Sequence, residues 1–154
     1  MFIDIVRARH SCRDYSPKEL TEEQKSILLE AGDLAPSSRN LHPVRLIRID
    51  DVDVIRSLVD CRAHGSTMAL RSAVFAVVVA ADPTVSDVWI EDASIASVFM
   101  QMEAEDLGLG SCWVQIRLRN NETASAEQYV RDRTGIPDNL AVESIIAFGH
   151  KCIE

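Results

Sequence analysis

Apolar and polar positions change period several times along the chain, and each change marks an element. Phe2, Ile5 and Val6 permit a short helix over residues 2–9. The run Arg9-His10-Ser11-Cys12-Arg13-Asp14-Tyr15-Ser16-Pro17 breaks that period and reads as a loop, because Pro17 restricts the residue before it. Thr21 and Gln24 form a capping box, each side chain satisfying an orphan amide of a starting helix. Ile27, Leu28, Ala31, Leu34 and Ala35 give that helix its apolar face, and Pro36 stops it. Ser37 to Pro43 is rich in loop formers. A strand from Val44 to Ile49 and a short helix from Asp53 to Val59 follow, whereas residues 60–72 show no readable period.

The second half is more regular. Residues 73–81 are an unbroken apolar run, the pattern of a central strand covered on both faces, ended by Asp82-Pro83. A long helix is predicted from Val88 to Leu107, polar only along a stripe near Glu91, Ser94, Ser97, Gln101 and Glu105. Such a helix needs more than one covering neighbour, inside the domain or across a subunit interface. Gly108 suits its C-terminal cap. Ser111–Ile116 reads as a strand, Ser125–Arg133 as a helix closed by Gly135 with Pro137 beyond, and Glu143–Gly149 as a last strand. The order predicts an α+β or α/β layer fold with one sheet and one domain, 1–154, without repeats.

Composition narrows the function classes. The 154 residues are 47% hydrophobic and 26% charged, an ordinary globular balance. No apolar run approaches the ~18 residues of a membrane span. The start Met1-Phe2-Ile3-Asp4 lacks the order of a signal peptide, so a cytoplasmic protein is expected. The formal charge of −8 argues against nucleic-acid partners. Within residues 1–18, however, Arg7, Arg9, Arg13 and Lys18 outweigh Asp4 and Asp14 by +2. That cluster suits one small anion, or equally a solvated charged face.

Cys12, Cys61, Cys112 and Cys152, like His10, His42, His64 and His150, are scattered, so neither a disulfide framework nor a metal site is expected. Cys12 could be an activated thiolate beside His10 and Arg13, but no acid–base partner is evident and a small loop residue is the simpler reading. No GxGxxG, GxxxxGK[ST] or GxSxG is present, leaving Rossmann, P-loop and hydrolase-elbow sites unsupported. What remains is a basic loop able to hold a phosphate and a Ser/Asn loop able to hold polar ring edges.

Four stretches in order resemble the FMN-dependent nitroreductase family. They are Arg9-His10-Ser11-Cys12-Arg13-Asp14-Tyr15; Ala35-Pro36-Ser37-Ser38-Arg39-Asn40-Leu41-His42-Pro43; Asp92 to Trp113, with its Leu-Gly-Leu-Gly turn; and Ser144 to His150. In the second, His42 stands where the family has Gln, and Val44 where it has Trp. The resemblance implies a three-layer α+β fold, one central and mainly antiparallel sheet flanked by helices, in a homodimer with FMN at the subunit interface. Arg9 and Ser11, with His10 alongside, would bind the FMN phosphate and ribityl end. Arg13 would sit near the N1/O2 edge of the ring, where a cation stabilises reduced flavin. Pro36, Ser37, Ser38 and Asn40 would reach the flavin from the other subunit, and backbone groups around Val114, Gln115 and Ile116 would lie near N5.

The implied activity is transfer of a hydride from NADH or NADPH through flavin to a nitroaromatic, quinone or similar small acceptor, with ping-pong kinetics and no catalytic side chain. Specialised relatives (dehydrogenase, dehalogenase, flavin-fragmenting enzyme) and a flavin carrier or sensor are the alternatives. Trp89 and Trp113 read as core residues rather than flavin-stacking ones. Family members usually continue with a basic tail that helps hold the phosphate. Here the sequence ends at Lys151-Cys152-Ile153-Glu154, so Lys151 or Arg117 would have to share that task and FMN affinity is expected to be reduced.

Overall fold

A computed structural model describes residues 1–152. Five helices and four strands alternate: α1 (Phe2–Ala8), α2 (Glu22–Asp33), β1 (Val44–Ile49), α3 (Val52–Ser57), β2 (Phe75–Ala81), α4 (Trp89–Asp106), β3 (Leu109–Gln115), α5 (Ala126–Thr134) and β4 (Ala141–His150). The strands form one sheet of order β1-β2-β4-β3, with every neighbouring pair antiparallel. It is the α+β arrangement that the resemblance implies.

The apolar run became the central strand because it has a layer on each side. Phe75, Val77 and Val79 of β2 pack with Leu28 of α2, Met100 and Ala104 of α4, and Ile146 and Phe148 of β4. Ala76, Val78 and Ala80 face the other way, toward Ile55 of α3, Val130 of α5 and Ile145 of β4. The Thr21–Gln24 capping box forms as expected, with bonds of 2.9 and 3.1 Å. Gly135, at φ 69°, closes α5 in the left-handed conformation that glycine adopts at least cost.

Three departures from the pattern have physical causes. Residues 60–72 carry no period because they hold parts of two 3-10 turns, Leu58–Cys61 and Met68–Arg71, which bury Leu58, Cys61, Ala69 and Leu70. The strands β3 and β4 each begin two residues early, as Leu109 and Gly110 pair with His150 and Gly149, and Ala141 pairs with Ala81. Finally, α4 turns only the Glu91 end of its polar stripe to solvent. Asp92, Ser97 and Gln101 are buried, while Ile95, Val98 and Phe99 are exposed. Ser97 can go inside because its hydroxyl donates to Ala93 O at 2.9 Å. Val98 and Phe99 join Met1, Phe2, Ile5, Ala31 and Met102 around a mainly apolar groove of about 690 Å³, with Asp4, Glu103 and Asp106 also lining it.

Candidate functional site

β3 is an edge strand, and the basic loop lies along it. Ser11 bridges Ser111 in parallel, Cys12 N donates to Ser111 O at 2.9 Å, and Tyr15 bridges Lys151 beyond the end of β4. Tyr15 is the anchor of the loop. Its ring is 4% exposed, its hydroxyl donates to Cys12 O, and its amide donates to Ser72 Oγ at 3.0 Å. Burial, with the neighbouring thiols of Cys112 and Cys12, pushes its phenol well above the ordinary tyrosine range, so it stays neutral. Close approach of the ring is possible only because Gly110 and Gly149 lack side chains. A Cβ would come within 3.0 Å of Tyr15 at the first and 2.6 Å at the second.

The anchored loop presents cations that no described residue neutralises. Among the described residues, the guanidinium groups of Arg9 and Arg13 make no hydrogen bond or ion pair, in contrast to Arg39, Arg48 and Arg131. Burial raises the thiol of Cys112, on β3; Arg13, Ser11 and Arg9 all act against that rise, so these three groups converge on the strand. Arg9 is half-buried, and His10, Ser11 and Arg13 are exposed. Cys12 is not an activated nucleophile: it is buried against Gly110, and its Sγ donates to Asp14 O at 3.3 Å.

Beyond the loop, Val114 and Ile116 are fully buried, and Ile116 N donates to Glu143 O at 3.1 Å. Gln115 is held by its own neighbours, accepting from Trp113 Nε1 at 2.9 Å and donating to Arg117 O at 2.8 Å. Trp113 packs against the α2–α4 layer, and Trp89 is half-buried. Arg117, just past β3, is half-buried and its side chain bonds to no described residue. Lys151 is not free, since its ammonium pairs with Glu105 at 2.7 and 2.8 Å.

The second group of expected residues forms a tight turn elsewhere. After α2, Ser38–Asn40 makes one 3-10 turn, and Arg39 and Asn40 within it and His42 just beyond it have positive φ, at 51°, 56° and 48°. Left-handed backbone is costly for non-glycine residues and persists only when neighbours enforce it. Here Asp92 accepts from Ser38 N at 2.8 Å, Ser37 Oγ accepts from His42 N at 3.0 Å, and His42 Nε2 meets Asn40 Oδ1 at 2.6 Å. Asp92, 3% exposed on α4, also accepts from Ser86 Oγ at 3.2 Å. A cavity of about 240 Å³ opens beside this turn, lined by Pro36, Ser37, His42, Arg45 and Asp92 among others.

The structure brings Arg9, His10, Ser11 and Arg13 to β3 with Val114, Gln115 and Ile116, but it does not bring Pro36, Ser37, Ser38 and Asn40 to them. That turn leads into β1, the opposite edge of the sheet. Three strand spacings separate β3 from β1, roughly 14 Å at about 4.8 Å each. The patterns had not singled out Asp92, Tyr15 or Glu143 for a role. Asp92 and Glu143 carried a signal, each being a carboxylate inside a largely apolar element.

The known protein families settle the class. Residues 6–63 and 64–150 match the nitroreductase family. The chain belongs to the nitroreductase family. A relative from Archaeoglobus fulgidus, provisionally named NADH dehydrogenase/NAD(P)H nitroreductase, is 30% identical over 96% of this chain and 84% of its own length. An FMN-dependent nitroreductase from Clostridium difficile R20291 superposes with a TM-score of 0.94 at 39% identity, covering 99% of this chain and 88% of that one. A provisionally named nitroreductase from Desulfovibrio desulfuricans, solved in complex with FMN, superposes with a TM-score of 0.79 at 25% identity, covering 99% and 87%. Membership makes the chain an oxidoreductase.

Proposed function

We propose that this nitroreductase-family chain binds FMN between two copies of itself, as one domain per copy, and passes a hydride from NADH or NADPH to an organic acceptor such as a nitroaromatic or quinone. The observation that carries the reading is the pair of guanidinium groups, Arg9 and Arg13, without a partner among the described residues and held along an edge strand in a protein of charge −8. Buried anchors hold a cationic loop in place while its cations stay unpaired, and such a loop suits an anion that arrives from outside.

The residues fit FMN. Arg9 and Ser11 supply a charge and a hydroxyl for the phosphate, and Arg13 supplies a positive charge for a ring that becomes anionic on reduction. Arg117 is a further free cation at the far end of β3, whereas Lys151 is committed to Glu105. Ser37, Ser38 and Asn40 stand at the other edge of the sheet, so a second copy must bring them to the ring. The exposed apolar face of α4 (Ile95, Val98, Phe99) suits that dimer contact. Bound FMN would supply the hydride chemistry; the chain grips the anion, sets the local charge and leaves one slot that donor and acceptor use in turn, which gives ping-pong kinetics. The four free thiols fit a reducing compartment, and we place the reaction in the cytoplasm.

The test is the visible spectrum of protein incubated with FMN and desalted, then treated anaerobically with NADH or NADPH. Retained flavin that bleaches with either donor is expected, with retention lowered in Arg13→Ala and in Asn40→Ala. Retention equal to wild type in both variants would remove these residues from the site. Retained flavin that neither donor bleaches would favour a carrier or sensor.

A further inference from the structure

Glu143 is an acid set in the middle of the sheet with no cation in contact. It is 2% exposed in a strand whose other interior residues are almost all apolar. A β-bulge accounts for its direction. Val79 pairs with Ser144 and Ala80 with Val142, so Glu143 has no partner on β2. Strand alternation places Ser144 on the α4 side with Ile146 and Phe148, and the bulge turns Glu143 to that side too, where Ser94 of α4 meets it. Two polar atoms here lack any partner among the described residues, Glu143 Oε1 and Ser144 Oγ.

Counting hydrogens shows that the pair accommodates both protonation states. Ser94 Oγ lies 2.7 Å from Ile90 O and 3.0 Å from Glu143 Oε2. A serine hydroxyl has one hydrogen, and a carbonyl oxygen can only accept. That hydrogen goes to Oε2 when the carboxyl is ionised and is free for Ile90 O when Oε2 carries its own proton. Oε1, without a partner among the described residues, opposes the ionised form, since an ionised oxygen buried without a donor costs far more than a neutral one.

The charged surroundings leave the balance close. Burial pushes the carboxyl up to about 7, against the Ser94 hydrogen bond and the Arg117 guanidinium, which lower it; Glu91 on α4 raises it. β2 brings only Val79 and Ala80 to the bulge. On α5, Glu127 accepts from Val142 N at 3.0 Å and is paired with Arg131 at 3.2 Å. Glu143 is joined directly to the far end of the candidate site. Its backbone O accepts from Ile116 N and Arg117 N at 3.1 and 3.0 Å, and Ile116 belongs to the segment that the family resemblance implies lies near flavin N5.

We propose that Glu143 is a redox-linked proton acceptor, which gains a proton as the bound flavin is reduced and gives it up as the flavin is reoxidised. The inference rests on the FMN reading above. The nicotinamide hydride brings two electrons and one proton, leaving a negative charge on the ring. A proton from water balances it, forming the Oε2–H bond and leaving hydroxide to the buffer. When the acceptor takes the hydride, the ring charge disappears and Oε2–H dissociates to solvent. Ser94 is the exit, because it also lines the outer cleft formed with Ile95, Val98 and Phe99. Glu143 is thus a positioning residue for charge, one that acts on the site without touching the acceptor.

The experiment measures the midpoint potential of FMN-loaded protein between pH 5.5 and 9, with urea unfolding of the FMN-free protein over the same range. Around neutrality, wild type is expected to take up one more proton per two electrons than Glu143→Gln. Folding raises the pKa of this acid, so FMN-free wild type is expected to lose stability as pH climbs from its unfolded value toward 7, and Glu143→Gln to lack that loss. Equal proton counts in the two FMN-loaded proteins would overturn the inference while the cofactor reading stood. Wild type that holds no FMN would overturn both, even with the pH-dependent stability present. Should Glu143→Gln fail to fold, Ser94→Ala is the second variant. It removes an interaction that lowers the carboxyl, so the extra proton should bind at higher pH, and an unmoved step would count against the proposal.

Discussion

Gly149→Ala tests whether the basic loop is positioned by packing. A Cβ there would lie 2.6, 2.7 and 2.8 Å from Tyr15 Cβ, Cγ and Cδ1. These atoms are at the root of the side chain, so a rotamer change cannot relieve the contact and the backbone of residues 12–16 has to move. That backbone is fixed by Cys12 N to Ser111 O and Ser16 N to His150 O, both 2.9 Å, and by Tyr15 N to Ser72 Oγ at 3.0 Å. Overpacking costs about 1–3 kcal/mol, and a stretched hydrogen bond costs about 1 kcal/mol more. At roughly 2–4 °C per kcal/mol for a chain of this length, a cost of about 2–4 kcal/mol lowers Tm by roughly 4–16 °C.

Gly108→Ala is the control. A Cβ there meets nothing within 4 Å, but the residue has φ +72°. Its cost is conformational, about 1–2 kcal/mol. Thermal unfolding of both variants, with FMN retention after desalting, should rank Gly149→Ala below Gly108→Ala in each assay, and only Gly149→Ala should lose flavin. Equal or reversed ranking would refute the packing argument, as would a Gly149→Ala protein that keeps wild-type stability and flavin.

The proposed division of the site between two copies gives a second prediction. Co-expressed Arg13→Ala and Asn40→Ala chains should form mixed dimers with one doubly defective and one intact site, so purified mixed dimers should hold about half the wild-type flavin while either parent holds little. If the mixed dimers bind no better than the parents, the two groups do not meet across an interface. Asp92→Ala leaves Ser38 N without its acceptor and releases a turn with three left-handed residues. A loss of about 1–3 kcal/mol in urea unfolding is expected, together with faster hydrogen exchange at Ser38 to Leu41; unchanged exchange would mean that the turn is held by other contacts.

The parts of this fold legible from sequence were those in which local chemistry and burial agree. The Thr21–Gln24 box, Pro36, Gly135 and the run 73–81 each specify their structure within a few residues. Residues 60–72 were illegible because their two 3-10 turns are too short for a period and bury residues singly. Which polar residues of α4 go inside was illegible for another reason: Ser97 and Asp92 hide their polarity in specific bonds that composition does not reveal. Within the candidate site, the charged and turn-forming residues stood out in their own motifs, from Arg9 to Arg13 and from Pro36 to Asn40. What supports them did not, because Tyr15 against Gly149 and Asp92 against Ser38 join residues more than 50 positions apart.

The segment along β3 also bears on solubility. An edge strand offers unpaired amides and carbonyls to any other exposed strand, and proteins blunt such edges by covering or charging them. At the opposite edge, Arg45 and Arg48 of β1 do this with charge. At β3 the cover is the Arg9–Tyr15 segment itself, tied on at Ser111 and Lys151. A change that loosens it therefore unmasks a strand as it weakens the proposed anion grip, and precipitation is expected to accompany loss of cofactor.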